Sequence, residues 1–279
     1  MQPRSSHLTA LAGLLILAGA LPTAAIAAGT PLLAHRAVYD LSLAKSDNSS
    51  SAPVSARGRI VYEFTGSPCE GWVTNFRQLT QLQMNEGGER TSDMRSATFE
   101  EGDGTGFQFK TDTLIDGKLV ETIDGRAKKA ADGVVSVSLT KPEQSKDDMA
   151  AGALFPTAQI LRIVDIARAG EKTASIKIFD GSDTGHKVFD TLTVIGRRLD
   201  AQSTEASAIN ADSLKGVARW PVSVSYFDPA KPDSGPNYIL GFDLYENGVS
   251  GALRIDYGSY VLEGKMAKFE PIPQKSCDK

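Results

Sequence analysis

Few side chains in this sequence could do chemistry, and none stands at a spacing that names a reaction. The chain holds His7, His35, His186, Cys69 and Cys277, and no other histidine or cysteine. His186 follows Asp180-Gly-Ser-Asp-Thr-Gly185. One reading makes Asp180, Asp183 and His186 an acid–base or metal cluster. The plainer reading is a strand-to-strand turn whose Asp and Ser side chains bond their own backbone, and the composition favours it. His35 and His186 with a third ligand could hold zinc, but no characteristic ligand spacing is present. Asp147 and Asp148 lie in a polar stretch and read as solvated charge. Glycosidase carboxylates come from distant strands and follow no spacing rule, so they stay open. Gly-x-Ser-x-Gly, His-Glu-x-x-His, Walker and Rossmann signatures are absent. The expectation is therefore no catalytic residue, no metal and no cofactor.

The two cysteines are too few for a four-thiolate zinc site and form no Cys-x-x-Cys redox pair. Their meaning depends on compartment, which the first residues address. Arg4 precedes an apolar run from Leu8 to Leu21, Pro22 breaks it, and Ala25-Ile26-Ala27 places small residues at −3 and −1. This is the pattern of a secretory signal peptide over residues 1–27, cut after Ala27 or next after Ala28. The run is shorter than the roughly 20 residues a spanning helix needs, and no later run is long enough to span. The mature chain, 279 − 27 = 252 residues, would carry a charge of 29 − 34 = −5. Export means an oxidising space, where two thiols are expected to pair, with two unpaired thiols as the alternative.

Composition narrows the class. With 30 Lys+Arg against 34 Asp+Glu, the chain is mildly acidic and is not built to follow a phosphate backbone. An apolar fraction of 41% is too high for a disordered chain and too low for a polytopic membrane protein.

The elements that must position these residues read as strands. Ala37, Tyr39, Leu41 and Leu43 alternate with polar neighbours, as do Ile60, Tyr62 and Phe64, and Val135, Val137 and Leu139. The same period of two recurs over Val222–Tyr226, Tyr238–Leu244 and Leu253–Tyr257. One buried and one wet face predicts antiparallel sheet, and about a dozen or more strands fit a large sandwich or barrel. Asp116-Gly117, Asp124-Gly125, Asp132-Gly133, Asp180-Gly181 and Asn247-Gly248 are predicted turns. The first three recur every eight residues, as in a meander of short strands. One helix is predicted over about 157–169, where Ile160, Ile163, Val164 and Ala167 share a face after Pro156 and Gly170 stops the run. Residues 141–153 read as a polar linker and 45–56 as a Ser-rich loop. Residues 28–279 are expected to form a single domain. Trp72, Phe76, Phe107, Phe109, Trp220, Tyr226, Phe227, Tyr238, Phe242 and Tyr245 either pack as core or, as a set, line a cavity.

Several stretches, in order, resemble the EipB family of periplasmic cell-envelope integrity proteins. They are His35–Leu43 (HRAVYDLSL), Gly58–Phe64 (GRIVYEF), Cys69-Glu-Gly-Trp72, Leu154-Phe-Pro-Thr157 and Phe179-Asp-Gly-Ser182. Trp220–Asp228 (WPVSVSYFD), Tyr245–Ser250 (YENGVS), Asp256-Tyr-Gly258 and Cys277 complete the series. The resemblance implies an all-β fold: one long, strongly curved antiparallel sheet wound into a spiral, with a helix packed against it. It implies a disulfide between Cys69 and Cys277, a role in envelope integrity under stress, and no established catalytic residues. A location in the periplasm of a Gram-negative bacterium follows, with envelope proteins, peptides or lipoproteins as partners. Expected too are no nucleic acid, no membrane span in the mature chain, and a monomer or weak dimer. The shape resembles periplasmic lipoprotein carriers, so a carrier holding an acyl chain or lipoprotein is a second reading. An envelope hydrolase is a third.

Overall fold

The computed structural model describes residues 32–277 except 48, 51, 150, 200–211 and 276. The signal peptide expected over residues 1–27 lies outside the described residues. Eight strands come first: β1 (His35–Ser46), β2 (Pro53–Ser67), β3 (Gly71–Met84), β4 (Glu89–Glu100), β5 (Gly106–Ile115), β6 (Lys118–Lys129), β7 (Val135–Lys141) and β8 (Ser145–Met149). The helix α1 (Pro156–Arg168) interrupts them. Six follow: β9 (Thr173–Ile178), β10 (Phe189–Ile195), β11 (Arg219–Phe227), β12 (Tyr238–Tyr245), β13 (Ser250–Asp256) and β14 (Tyr260–Pro271).

All fourteen strands join one antiparallel sheet in the order β8 to β1, then β14 to β9. Every neighbouring pair is a sequence-adjacent hairpin except the seam, where β1 pairs β14 with His35 opposite Pro271 and Ser46 opposite Tyr260. Period two does the sorting: His35, Ala37, Tyr39 and Leu41 are buried while Arg36, Asp40 and Ser42 are exposed. The sheet bends hard at Leu41. Gly58 and Gly264 face it from the two flanking strands, and a Cβ on Gly58 would stand 2.4 Å from the Leu79 carbonyl oxygen. Only residues without a side chain let the backbones close in there. Bulges at Val38/Tyr39, Thr113/Leu114 and Gly241/Asp243 add twist.

The rolled sheet brings its two ends together without completing the ladder. Leu154 N–H donates to the Lys177 carbonyl at 2.8 Å, and Phe179 N–H donates to the Leu154 carbonyl at 2.9 Å. Around this contact Phe107, Val135, Val137 and Leu139 of one end pack with Phe155, Phe179 and Val188 of the other. No β8–β9 ladder forms among the described residues, so the fold is a curved open sheet rather than a closed barrel.

The helix starts at Pro156 and ends at Arg168, one residue off the predicted bounds at each end. Ile163, Val164, Ile166 and Ala167 bury against β9–β12, while Ile160 and Leu161 reach Leu32, Phe64 and Trp72. It thus spans the mouth of the roll at one end. Its N-cap, Phe155, has no capping side chain and its first turn has no acid. Glu100 at the end of β4 supplies both: its carboxylate accepts from Thr157 N–H at 2.7 Å and Ala158 N–H at 3.0 Å. A carboxylate there satisfies free amides and meets the positive end of the helix dipole.

Four sequence expectations need correction. Asp124-Gly125 is no turn; it lies inside β6, where Gly125 makes room for Leu139 and Phe109. Strands β5 and β6 are 10 and 12 residues long, so the eight-residue meander does not exist. The supposed linker 141–153 contains β8, an edge strand paired with β7. With charge on both faces it shows no apolar alternation, a pattern that suits an exposed edge. The Ser-rich loop is also shorter than expected, since β1 runs to Ser46 and β2 begins at Pro53.

Candidate functional site

The inner face of the sheet and the helix leave an apolar cavity of about 700 Å³. A narrower chamber of about 330 Å³ continues it. The two share Tyr62, Phe76, Met94, Ile160, Asp180 and Ser182 in their walls. Ile160 and Ile163 of α1 form one end. At the other end the lining includes Asp183, Asn237 and Tyr257, all exposed, so the cavity opens there. Strands β1, β2, β11, β12 and β13 supply Tyr39, Ile60, Val224, Leu240, Phe242 and Ile255 to the walls. A cavity of this size and character suits an apolar ligand.

Of the aromatic residues proposed as a set, Phe76, Tyr226, Tyr238 and Phe242 line the cavity. Trp72, Phe107, Phe109, Trp220 and Tyr245 are buried core, and Phe227 is half-buried away from both chambers. Tyr39, Tyr62, Met94, Phe189 and Tyr257 also line it. The signal for Tyr39 and Tyr62 was present, since each alternates in step with inward neighbours.

The polar groups of the cavity are few and strained by burial. Asp180 Oδ1 accepts from Ser182 N–H at 3.0 Å and from Ser182 Oγ at 2.7 Å. Burial still pushes its carboxyl above the usual carboxylate range, and the nearby Asp183 adds to the rise. Tyr226 and Tyr238 stack at 4.5 Å with Phe189 edge-on to both. Burial pushes both phenols up strongly, and lifts Tyr62 to about 12. Gln159 lines the same space at 6% exposure, and its Nε2 has no acceptor at full hydrogen-bonding distance, with the Tyr226 hydroxyl beside it.

The less favoured trio of Asp180, Asp183 and His186 does not converge. Asp183 pairs with Lys187, which also donates to Asp228 Oδ2 at 2.9 Å; these two hydrogen bonds hold the Lys187 ammonium above its ordinary value. His186 instead meets β8: its Nδ1 lies 3.1 Å from Asp147 Oδ2 and its Nε2 lies 3.3 Å from Ser145 Oγ. The order Ser–His–Asp matches nucleophile, base and orienting acid. Yet the His186 and Asp147 side chains are 38% and 50% exposed, and neither chamber includes any of the three. Water screens such a set, and nothing there is positioned to hold a substrate. Among the described residues no three His, Cys, Asp or Glu side chains gather as metal ligands.

His35 is buried among the rings of Tyr62, Phe64 and Phe269 and its Nδ1 hydrogen-bonds the Leu33 carbonyl at 2.7 Å. Burial pushes its pKa down, so it belongs to the core as a neutral ring. Cys69 and Cys277 are joined, with Cα atoms 5.9 Å apart. The bond ties the tail to the β2–β3 turn, where Gln274 Nε2 also donates to the Gly66 carbonyl at 3.0 Å.

Comparison with known proteins follows the same outline. The family model described as EipB-like matches residues 26–273. The chain is 37% identical to the cell envelope integrity protein EipB of Brucella abortus over 254 residues, covering 91% of this chain and 89% of that one. It superposes on the crystal structure of a beta-barrel-like protein of domain of unknown function DUF1849 from Brucella abortus with a TM-score of 0.81. The identity is 36%, over 88% of this chain and all of that one. On the length of the family match and the identity to its curated relative, the chain belongs to the EipB-like family.

Proposed function

We propose that this protein supports cell-envelope integrity as a non-enzymatic periplasmic binding protein. In this reading it holds the apolar chain of a lipid, lipoprotein or peptide in its cavity. The carrying observation is the apolar space of about 700 Å³, stoppered by α1 and open between β11, β12 and the β13–β14 turn. The envelope role is supported by the name of the Brucella abortus relative. The periplasm is supported by the signal-like first 27 residues, and by the Cys69–Cys277 bond, which suits an oxidising space.

Native mass spectrometry of protein isolated from its own periplasm tests the ligand. The expected result is adducts of acyl or peptide mass that are reduced in Met94→Trp, which narrows the space where the two chambers join. A protein that is consistently empty refutes the carrier reading. In the cell, a deletion strain is expected to become sensitive to detergent and cell-wall antibiotics, and Met94→Trp should fail to restore resistance. Unaltered sensitivity refutes the envelope role.

A further inference from the structure

The cavity lining is mostly apolar, with Gln78, Ser250 and Arg254 among its polar members, and one group of polar side chains stands where the two chambers meet. Asp180 stands in the walls of both chambers, beside the stacked pair Tyr226 and Tyr238, and Gln159 faces the same space from α1. No cation pairs with this carboxylate among the described residues; Arg254, which also lines the cavity, lies 3.8 Å from Asp256 and 3.8 Å from Glu263 instead. The hydrogen bonds of Asp180 come from Ser182, and its nearest charged neighbour is Asp183, of like sign. The closest lysine in sequence, Lys187, is committed to Asp183 and Asp228. A half-buried carboxylate lacking a counter-charge is costly unless something supplies one. Aromatic faces beside it favour the same sign of guest, since a ring face attracts a cation. Gln159 adds an independent demand: its Nε2 is nine-tenths buried, has no acceptor at full hydrogen-bonding distance, and has only the Tyr226 hydroxyl beside it.

We infer that this station receives the ammonium group of a long-chain amine whose alkyl chain fills the rest of the cavity. The amine bears a neighbouring carbonyl or hydroxyl oxygen for Gln159. The inference rests on the reading that the cavity takes an apolar ligand, and it names the head group. An anionic head would face Asp180 and Asp183 together and is excluded by repulsion. A neutral head would leave Asp180 as it is now. Amino-lipids and the N-terminus of an acylated peptide share the required chemistry.

Titration calorimetry on the full mature chain, stripped of bound material, distinguishes these guests. Dodecylamine, dodecanol and dodecanoate are compared below their micelle concentrations at neutral pH. Dodecylamine is expected to bind about tenfold tighter than dodecanol, equivalent to about 1.4 kcal/mol, with dodecanoate weakest. In Asp180→Asn the amine-to-alcohol ratio should fall to about one while dodecanol affinity holds. Equal binding of amine and alcohol by the wild type overturns the inference, as does a ratio that survives in Asp180→Asn. Failure of all three to bind overturns the apolar-ligand reading as well. The wild-type ranking needs no variant, so a poorly folding Asp180→Asn protein would not shield the inference. Dodecylamine with an added 2-hydroxyl should gain further affinity in the wild type, and lose that gain in Gln159→Leu.

Discussion

The two ends of the rolled sheet are built to opposite purposes. At the helix end, polar groups are engaged in closure. Glu100 caps α1, Arg168 bonds Glu246 at 2.8 Å, and the Cys69–Cys277 bond pins the tail. Phe155 is fully buried, 5.2 Å from Phe107 and under the Lys129 ammonium. At the far end, Asp183, Asn237 and Tyr257 are exposed around an opening. The largest exposed apolar residues, Leu119 and Val120, follow the β5–β6 turn there, at 60% and 58% exposure. The contrast teaches that the contacts that close the sheet lie at one end and the opening of the cavity lies at the other. Substitutions at the closed end should therefore change folding, and those at the open end should change binding.

Phe155→Ala should break the closed end most, at about 3–5 kcal/mol, because the rings of Phe107 and Phe179 lose a partner and a cavity remains. A denaturant midpoint is the measurement. Asp183→Asn at the open end should stay within about 0.5 kcal/mol, and a comparable loss there would abolish the contrast. Next comes Cys69→Ser, expected to cost about 2–4 kcal/mol under non-reducing conditions, since the bond restrains a very long loop of the unfolded chain. The wild type treated with reductant should match it; unchanged melting in both would dissolve the disulfide's role. The smallest effect concerns Glu100. Glu100→Ala leaves two helix amides unmet and should cost about 1–3 kcal/mol. Burial holds the folded Glu100 carboxyl above its ordinary value in spite of the amides it accepts from. The folded state therefore binds this proton more readily than the unfolded one. The contribution is full below the ordinary carboxylate pKa and is lost as pH rises through the folded value. Glu100→Gln cannot titrate, so the wild-type-minus-Gln stability should grow as pH falls from 7 towards about 4.5. A flat difference would remove Glu100 from the titration of the closed end.

The fold was far more legible than the site. Strands with one wet and one buried face announce themselves, as β1 and β11 do, because residue type tracks the pleat. Strand β8 did not, since Ser145–Met149 is wet on both sides and its composition is that of a loop. Asp124-Gly125 misled because glycine serves turns and crowded strands alike, and the crowding comes from Phe109 and Leu139 on other strands. Inward residues look the same in sequence whether they pack or leave space, so the cavity was invisible. The partnership of Glu100 with Thr157 joins segments 57 residues apart, and that of His186 with Asp147 joins the loop after β9 to β8. Neither carries a local signal. The Asp180 turn was readable, as Ser182 donating back to Asp180 shows, but its place in the cavity wall was not.

The seam between β1 and β14 also sets a timetable. A chain emerging from its N-terminus can zip β2 to β8 into neighbouring hairpins at once. One edge of β1 nevertheless stays unpaired until β14, almost the last segment, is free. Contacts so distant in sequence form slowly, and an unpaired edge is a template for other chains. Until β14 is in place, that edge of β1 is the surface on which a strand-binding chaperone or protease would act, and the twelve residues of β14 are what remove it.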